Sequence, residues 1–339
     1  MTTIAAETDA RTLGGYLQQQ VAGFRGPITI EKFPDGQSNP TFLVRAQSGR
    51  YVLRRKPAGQ LLKSAHAVDR EFRVMSALAG TDVPVARTYH LCEDDSIIGS
   101  MFYLMEYVEG RMLWNPALPD LQPPQRRAIY AEMNRVLAAL HSVDIEAVGL
   151  TDYGKPGNYF ARQVGRWSRQ YRASETETIA AMEHLLQWLP ANMPAEDGRV
   201  SLVHGDFRLD NMLFHPLEPR VLALLDWELS TLGHPFADLA YQCMQLRMDH
   251  DGIMPGLGGL ERSDLGIPSE KDYVAAYCAQ MGIDEIPHWN FYLVFSFFRF
   301  AAILQGVKQR ALAGNASSDK ALQMGNLARP LAEMALELC

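Results

Sequence analysis

Leu202-Val-His-Gly-Asp-Phe-Arg-Leu-Asp-Asn-Met-Leu-Phe214, with Val221-Leu-Ala-Leu-Leu-Asp226 after it, is the stretch on which the fold reading turns. An apolar approach delivers His204, Gly205 and Asp206, and Asn211 follows five residues after Asp206. Two short β-type runs then flank His215-Pro-Leu-Glu-Pro-Arg220. A hairpin centred near Glu218 pairs Leu213 with Leu224 and sets Asn211 opposite Asp226 at the open end of the ribbon. In that register Asp206, Asn211 and Asp226 converge on one spot. Three oxygen-bearing side chains together suit a hard divalent cation and a neighbouring base. Mg²⁺ is usually held by one or two protein groups plus substrate phosphates.

The order Asp, four residues, Asn, then an apolar strand ending in Asp resembles the kinase catalytic loop and metal aspartate. The His204-Gly205-Asp206 form, with Leu225-Asp226-Trp227-Glu228 after it, is similar to the aminoglycoside phosphotransferase and choline kinase-like family. Within it, the nearest likeness is to phosphotransferase domains found alone in bacteria or fused to acyl-CoA dehydrogenases. It runs from about Ile28 to Arg310. The resemblance implies a two-lobed, protein-kinase-like α+β fold. A small β-rich N-lobe with the hinge takes residues 1–108, and a larger, mostly helical C-lobe takes residues 109–339. It also implies ATP and Mg²⁺ as cofactors. Asp206 is then the catalytic base, and Asn211 and Asp226 are the metal ligands.

The chain has 339 residues, 47% hydrophobic and 21% charged, as in ordinary globular proteins. A net charge of −7 argues against nucleic acid as a partner, because phosphate backbones call for a basic surface. Cys92, Cys243, Cys278 and Cys339 lie far apart without metal-ligand spacing, and are expected as reduced thiols in a cytoplasmic protein. No basic region followed by an apolar core opens the chain, so no signal peptide is expected. The most apolar window, 291–307, is interrupted by Ser296, Arg299 and Gln305 and reads as a buried helix, not a membrane span.

Residues 1–27 carry a short amphipathic helix with Leu13, Tyr16, Leu17 and Val21 on one face. Strand signals follow at 28–33, 42–45 and 51–54, with a polar loop over 34–41. That loop holds one glycine, Gly36, and is an ordinary hairpin turn taken alone. In the resembled family it covers nucleotide phosphates, which makes Ser38 and Asn39 cofactor-binding candidates. Arg54 falls where kinases keep the phosphate-binding lysine, and a guanidinium can fork two phosphate oxygens. Lys56 alternates to the same side, so either cation could serve.

Residues 64–78 have helical period, with Ala67, Phe72, Met75, Ala77 and Leu78 as packing candidates. Glu71 in this helix matches the glutamate that pairs with the phosphate-binding cation; the plainer reading is one more exposed charge among Asp69, Arg70 and Arg73. Strand-like runs recur at 83–87 and 101–105. Glu106-Tyr-Val-Glu-Gly110 then resembles a hinge, where Glu106 and Val108 would offer backbone groups to adenine.

Helical patterning takes over from 123–141, striped by Ile129, Met133, Val136, Leu137 and Leu140. Arg162, Arg166 and Arg169 make a positive face that either receives an anionic group or is simply solvated. Asp238 resembles the family's structural aspartate that braces the catalytic loop. The Gly- and Pro-rich stretch 249–269 is a lip over the substrate or an idle surface loop. Helices follow at 270–281 and 288–309, and Arg299 among phenylalanines calls for a partner, expected to be a carboxylate.

Only eleven residues separate Asp226 from Asp238, too few for a peptide-docking platform. The expected partner is therefore a small hydroxylated substrate, with neither nucleic acid nor membrane involved. The acceptor stays open among aminoglycoside-like, choline-like and hydroxy acid or hydroxyacyl-CoA molecules. A catalytically silent nucleotide- or acyl-binding module is the alternative reading.

Overall fold

The structure, a computed structural model, describes residues 8–33, 39–57, 67–314 and 320–339. The chain divides into two compact units: Met1–Arg111 with Leu222–Glu228, and Met112–Val221 with Leu229–Cys339. The segment carrying Asp226 thus groups with the N-terminal residues.

In the first unit, α1 (Thr8–Gln20) precedes a five-stranded sheet. Its strands are β1 (Thr29–Lys32), β2 (Thr41–Ala46), β3 (Gly49–Arg55), β4 (Thr88–Cys92) and β5 (Phe102–Glu106), in the order β1-β2-β3-β5-β4. All the pairings are antiparallel. Alternation along β2 and β3 sends Phe42, Val44, Tyr51 and Leu53 into one apolar cluster with Leu13, Leu17 and Val21, the face read from the first residues of the chain. Arg54, one residue on from Leu53, takes the opposite face of the sheet.

Helix α2 (Val68–Leu78) packs against β4 and β5. Its buried stripe is Val68, Glu71, Val74, Met75 and Leu78, whereas Ala67, Phe72 and Ala77 are only half-buried. The expected packing face is therefore off by about one position. An apolar tally skips Glu71, yet a buried guanidinium draws that carboxylate inward. The run at 83–87 is no strand: Pro84 lacks an N–H for a ladder, and its carbonyl accepts from Leu224 instead (2.8 Å). The strand begins after it, as β4.

The second unit is mostly helical. Its elements are α3 (Pro123–His141), α4 (Tyr159–Ser174), α5 (Ala180–Ala191), α6 (Phe236–Arg247), α7 (Arg262–Leu265), α8 (Glu270–Met281), α9 (Trp289–Leu312), α10 (Ala321–Gly325) and α11 (Ala328–Leu336). The expected stripe of α3 is buried throughout. Helix α9 is long and apolar enough to cross a membrane by length and composition, but 83% of that window is buried within the protein. It packs against α4, α5, α6, α10 and α11, so it is the core helix of this unit.

Short strands β6 (Arg111–Met112), β7 (Ser201–Val203), β8 (Met212–Phe214), β9 (Val221–Leu224) and β10 (Thr231–Gly233) complete the chain. Strand β7 pairs antiparallel with β10 and delivers His204. The turn between β8 and β9 closes where the His215 N–H donates to the Arg220 carbonyl (2.8 Å), with His215 Nδ1 accepting from the N–H groups of Leu217 and Glu218. Its centre lies between Leu217 and Glu218, so the register is two residues away from a Leu213–Leu224 pairing. Pro216 and Pro219 cannot donate, and the imidazole cap draws the turn together one residue earlier. The register argument for setting Asn211 opposite Asp226 therefore does not hold.

Candidate active site

In the second unit, Asp206 and Asn211 come together. The Asn211 amide nitrogen donates both to the Asp206 carboxylate Oδ2 (2.9 Å) and to the Asp206 carbonyl (2.9 Å). That use of the amide hydrogens leaves Asn211 Oδ1 as the atom suited to a cation. A single 3₁₀ turn, Leu209–Asn211, supplies the curvature that folds the fifth residue back onto the first.

The backbone beneath Asp206 is held from several sides. The N–H groups of His204 (2.6 Å) and Gly205 (2.8 Å) both donate to the Asp238 carboxylate, which is fully buried. The Gly205 carbonyl accepts from Arg299, and the Asp206 N–H donates to His204 Nδ1 (3.2 Å). Gly205 is required here. Its φ is +84°, and a Cβ would fall 2.6 Å from the Leu229 carbonyl oxygen. Burial opposes the ionised form of Asp238, but hydrogen bonds from His141 and the loop amides outweigh it and hold the carboxyl below its ordinary range. His141 in turn meets the Tyr277 hydroxyl through Nδ1 (2.7 Å).

Three of these residues correct or extend the sequence reading. Arg299 is buried, and among the described residues it has no carboxylate partner. It donates to the Gly205 carbonyl and lies over the rings of Trp167 (5.6 Å) and Tyr241 (5.2 Å). A backbone oxygen and two π faces replace the expected salt bridge. His141, a helix-end residue in sequence, is part of the brace. Tyr241 was not singled out at all, yet its hydroxyl hydrogen-bonds Asp206; burial first, then the Asp206 charge, drives its pKa up. Tyr241 stands three residues after Asp238 on α6, one face of one helix, and that spacing was the available signal.

In the first unit, Arg54 sits between carboxylates. Its Nε lies 2.8 Å from Glu71, and its Nη2 lies 2.9 Å from Asp226 and 3.7 Å from Glu228. Burial works against the guanidinium charge, but Glu71, Tyr103 and Asp226 outweigh it and raise the pKa. Glu71, only 1% exposed, also accepts from Asn39 Nδ2 (2.7 Å) and the Tyr103 hydroxyl (3.0 Å). Burial dominates there and raises the Glu71 pKa despite Arg54. Lys56 instead faces Asp69 at 3.7 Å, so Arg54 is the cation built into this cluster.

Asp226 has φ +61°, a left-handed conformation that costs a non-glycine residue about 1 kcal/mol and tends to persist at functional sites. Asn39 is buried, and its side-chain amide donates to Glu71. Ser38 lies outside the described residues. At the end of β5, the Glu106 N–H is given to the Arg87 carbonyl (2.8 Å), and Val108 follows two residues on. Of the arginine face on α4, Arg166 and Arg169 are exposed and Arg162 donates to the carbonyls of Lys155 and Pro156, as a solvated face does.

The family model for the phosphotransferase enzyme family matches residues 29–277, a span that holds Arg54, Glu71, Asp206, Asn211 and Asp226. The chain is 53% identical to mouse acyl-CoA dehydrogenase family member 10 over 91% of its own length and 29% of that protein's. It is 44% identical to rat acyl-CoA dehydrogenase family member 11 over 97% and 43% respectively. It thus spans less than half the length of these curated relatives.

Among solved structures, a Ralstonia eutropha protein provisionally assigned as an aminoglycoside phosphotransferase is 54% identical, with a TM-score of 0.90 and 97% of both chains covered. A thermostable mutant of aminoglycoside phosphotransferase APH(4)-Ia, in ternary complex with ADP and hygromycin B, shares the fold at 13% identity. Its TM-score is 0.63, with 96% of this chain and 98% of that one covered. On these matches the chain belongs to the phosphotransferase enzyme family and has its kinase-like α+β fold, that of a small-molecule phosphotransferase.

Proposed function

We propose that this chain is an ATP- and Mg²⁺-dependent enzyme that moves the γ-phosphoryl group to a hydroxyl of a small molecule, with Asp206 as base. The observation that carries the reading is Asp206 fixed by Asn211, Tyr241 and a doubly braced backbone, a degree of preorganisation that a mere turn does not need. In this reading Asn211 Oδ1 and Asp226 hold Mg²⁺. The donors fit it: one carboxylate and one amide oxygen, with substrate phosphates expected to complete the shell. The ion, when bound, neutralises charge on the phosphate oxygens. Arg54, steadied by Glu71, orients the phosphates, Glu106 and Val108 offer backbone groups to adenine, and Asp206 accepts or orients the proton of the attacking hydroxyl.

Support for the class of acceptor comes from a cavity of about 370 Å³ in the second unit, lined by Arg208, Leu209 and Asp210 of the Asp206 loop together with α6 and the 253–255 segment. Its one acid, Asp210, is forked to Arg208, which leaves no free carboxylate for a polycation. This favours a hydroxy acid or hydroxyacyl-CoA over an aminoglycoside, in keeping with the acyl-CoA dehydrogenase names of the relatives. The test is transfer of labelled γ-phosphate from MgATP to hydroxyacyl-CoAs, choline and kanamycin in parallel. Label in none of them, with nucleotide bound, would favour the silent binding module instead.

A further inference from the structure

Helix α6 (Phe236–Arg247) presents one polar stripe: Asp238, Tyr241, Gln242 and Gln245. The spacing i, i+3, i+4, i+7 places all four along a single face. The first braces the Asp206 loop and the second hydrogen-bonds Asp206 itself. The last two line the 370 Å³ cavity beside that loop. Gln242 is 1% exposed, and its Oε1 has no hydrogen-bond partner among the described residues. Gln245 Nε2 is buried in the same unsatisfied state. One acceptor and one donor, both costly to leave unmade, thus border a single space.

Around them, apart from Asn115 and the Arg208–Asp210 pair, the walls are apolar and adaptable, with Trp114, Leu209, Met248 and Met254 among them. The glycine-rich segment forms part of this wall and is firmly seated. The Gly256 and Gly258 N–H groups donate to the Asp249 (2.9 Å) and Met248 (2.8 Å) carbonyls, and a Cβ on Gly256 would fall 2.1 Å from the Met248 oxygen. A cavity of this size, mainly apolar with a few convergent polar groups, is the usual form of a small-ligand site.

We infer that Gln242 and Gln245 are specificity-determining residues that grip a neutral carboxamide group on an acceptor whose remaining body is apolar. This rests on the phosphotransferase reading for its placement beside Asp206, but the binding it predicts needs no phosphoryl transfer. An uncharged group with its own acceptor and donor completes both glutamines. An ammonium cannot, because it has no acceptor for Gln245 Nε2. The apolar walls then discriminate by length.

The experiment is a ligand-observed NMR titration of the full chain without nucleotide, using ω-hydroxyoctanamide, octanol (which lacks the carboxamide) and kanamycin. Wild type should bind the hydroxyamide more tightly than octanol and kanamycin least. Gln242→Leu and Gln245→Leu should each weaken the hydroxyamide about tenfold and leave octanol unchanged or tighter. Thermal melting guards against misfolding: Gln242→Leu removes a buried unpaired atom and should melt no lower than wild type. The half-buried Gln245→Leu carries the test should it do so.

Equal wild-type affinity for hydroxyamide and octanol, parallel loss of both in the variants, or a preference for kanamycin would overturn the assignment. Phosphate transfer is assayed separately. The predicted binding pattern without transfer to any acceptor sinks the phosphotransferase reading and leaves the subsite standing. Transfer that is indifferent to both variants sinks the subsite alone.

Discussion

Asn211, Tyr241 and the braced loop backbone fix the position of Asp206. Asp206→Asn keeps the Asn211 and loop contacts sterically possible, so nucleotide binding should persist while kcat falls by about 100-fold or more. Calorimetric nucleotide titration beside steady-state turnover checks both halves, and near-normal turnover would remove Asp206 from the chemistry. If Asp206 is the base, Tyr241 acts through it. Tyr241→Phe should lower kcat by about tenfold, the worth of one hydrogen bond to a charged group, and leave the KM for nucleotide unmoved. A change in KM with constant kcat would place Tyr241 in binding instead. Asp206 and Asn211 were readable from spacing alone, because five residues of a tight turn bring the two side chains together. Tyr241 was not, because a tyrosine in a buried helix looks like any other core residue until its hydroxyl is seen to find a carboxylate.

At the scale of the element, α2 shows why periodicity needs the partner strand. Its apolar residues suggest one face, but the helix is turned so that Glu71 meets Arg54 across from β3. Truncation at Glu71 strands a buried cation. Glu71→Ala should therefore cost about 3–5 kcal/mol, read from the shift of the urea midpoint, with Glu71→Gln milder. A loss within error of zero would mean that Asp226 and Glu228 suffice for Arg54. Helices α3 and α8 match their expected bounds, since the long buried stripe of α3 and the Ser269 cap of α8 are local signals. The β8–β9 turn differs because its register is set by an imidazole cap, which an apolar pattern does not encode.

For the molecule as a whole, Asp238 joins the catalytic loop to α6 and, through His141 and Tyr277, to α3 and α8. Its folded pKa is depressed. Its contribution to stability is therefore complete above the unfolded carboxylate value, about 4, and is lost as pH falls through the lower folded value. Glu71 works in the opposite sense: its pKa is raised, so its own term favours folding at lower pH and fades as pH rises through the folded value. Acid titration of the urea midpoint should show a shallower loss of stability below about pH 4 for Asp238→Asn than for wild type. The variant should already be less stable at neutral pH. Parallel curves would assign the acid sensitivity to other groups.

The amino-acid order carried the family resemblance: an aspartate, an asparagine and two further charged positions at the spacings of a phosphotransferase, on a chain whose stripes and alternations specify a β-rich and a helical part. These are short-range properties, carried by turn geometry and by the two side-chain periods of helix and strand. Tertiary structure decided which buried polar groups meet. It turned Glu71 inward, gave Arg299 a backbone oxygen, and left Gln242 Oε1 and Gln245 Nε2 without a partner among the described residues at the edge of a cavity. Desolvation makes each of those outcomes matter, and desolvation belongs to the packed chain, because no residue carries its own dielectric surroundings.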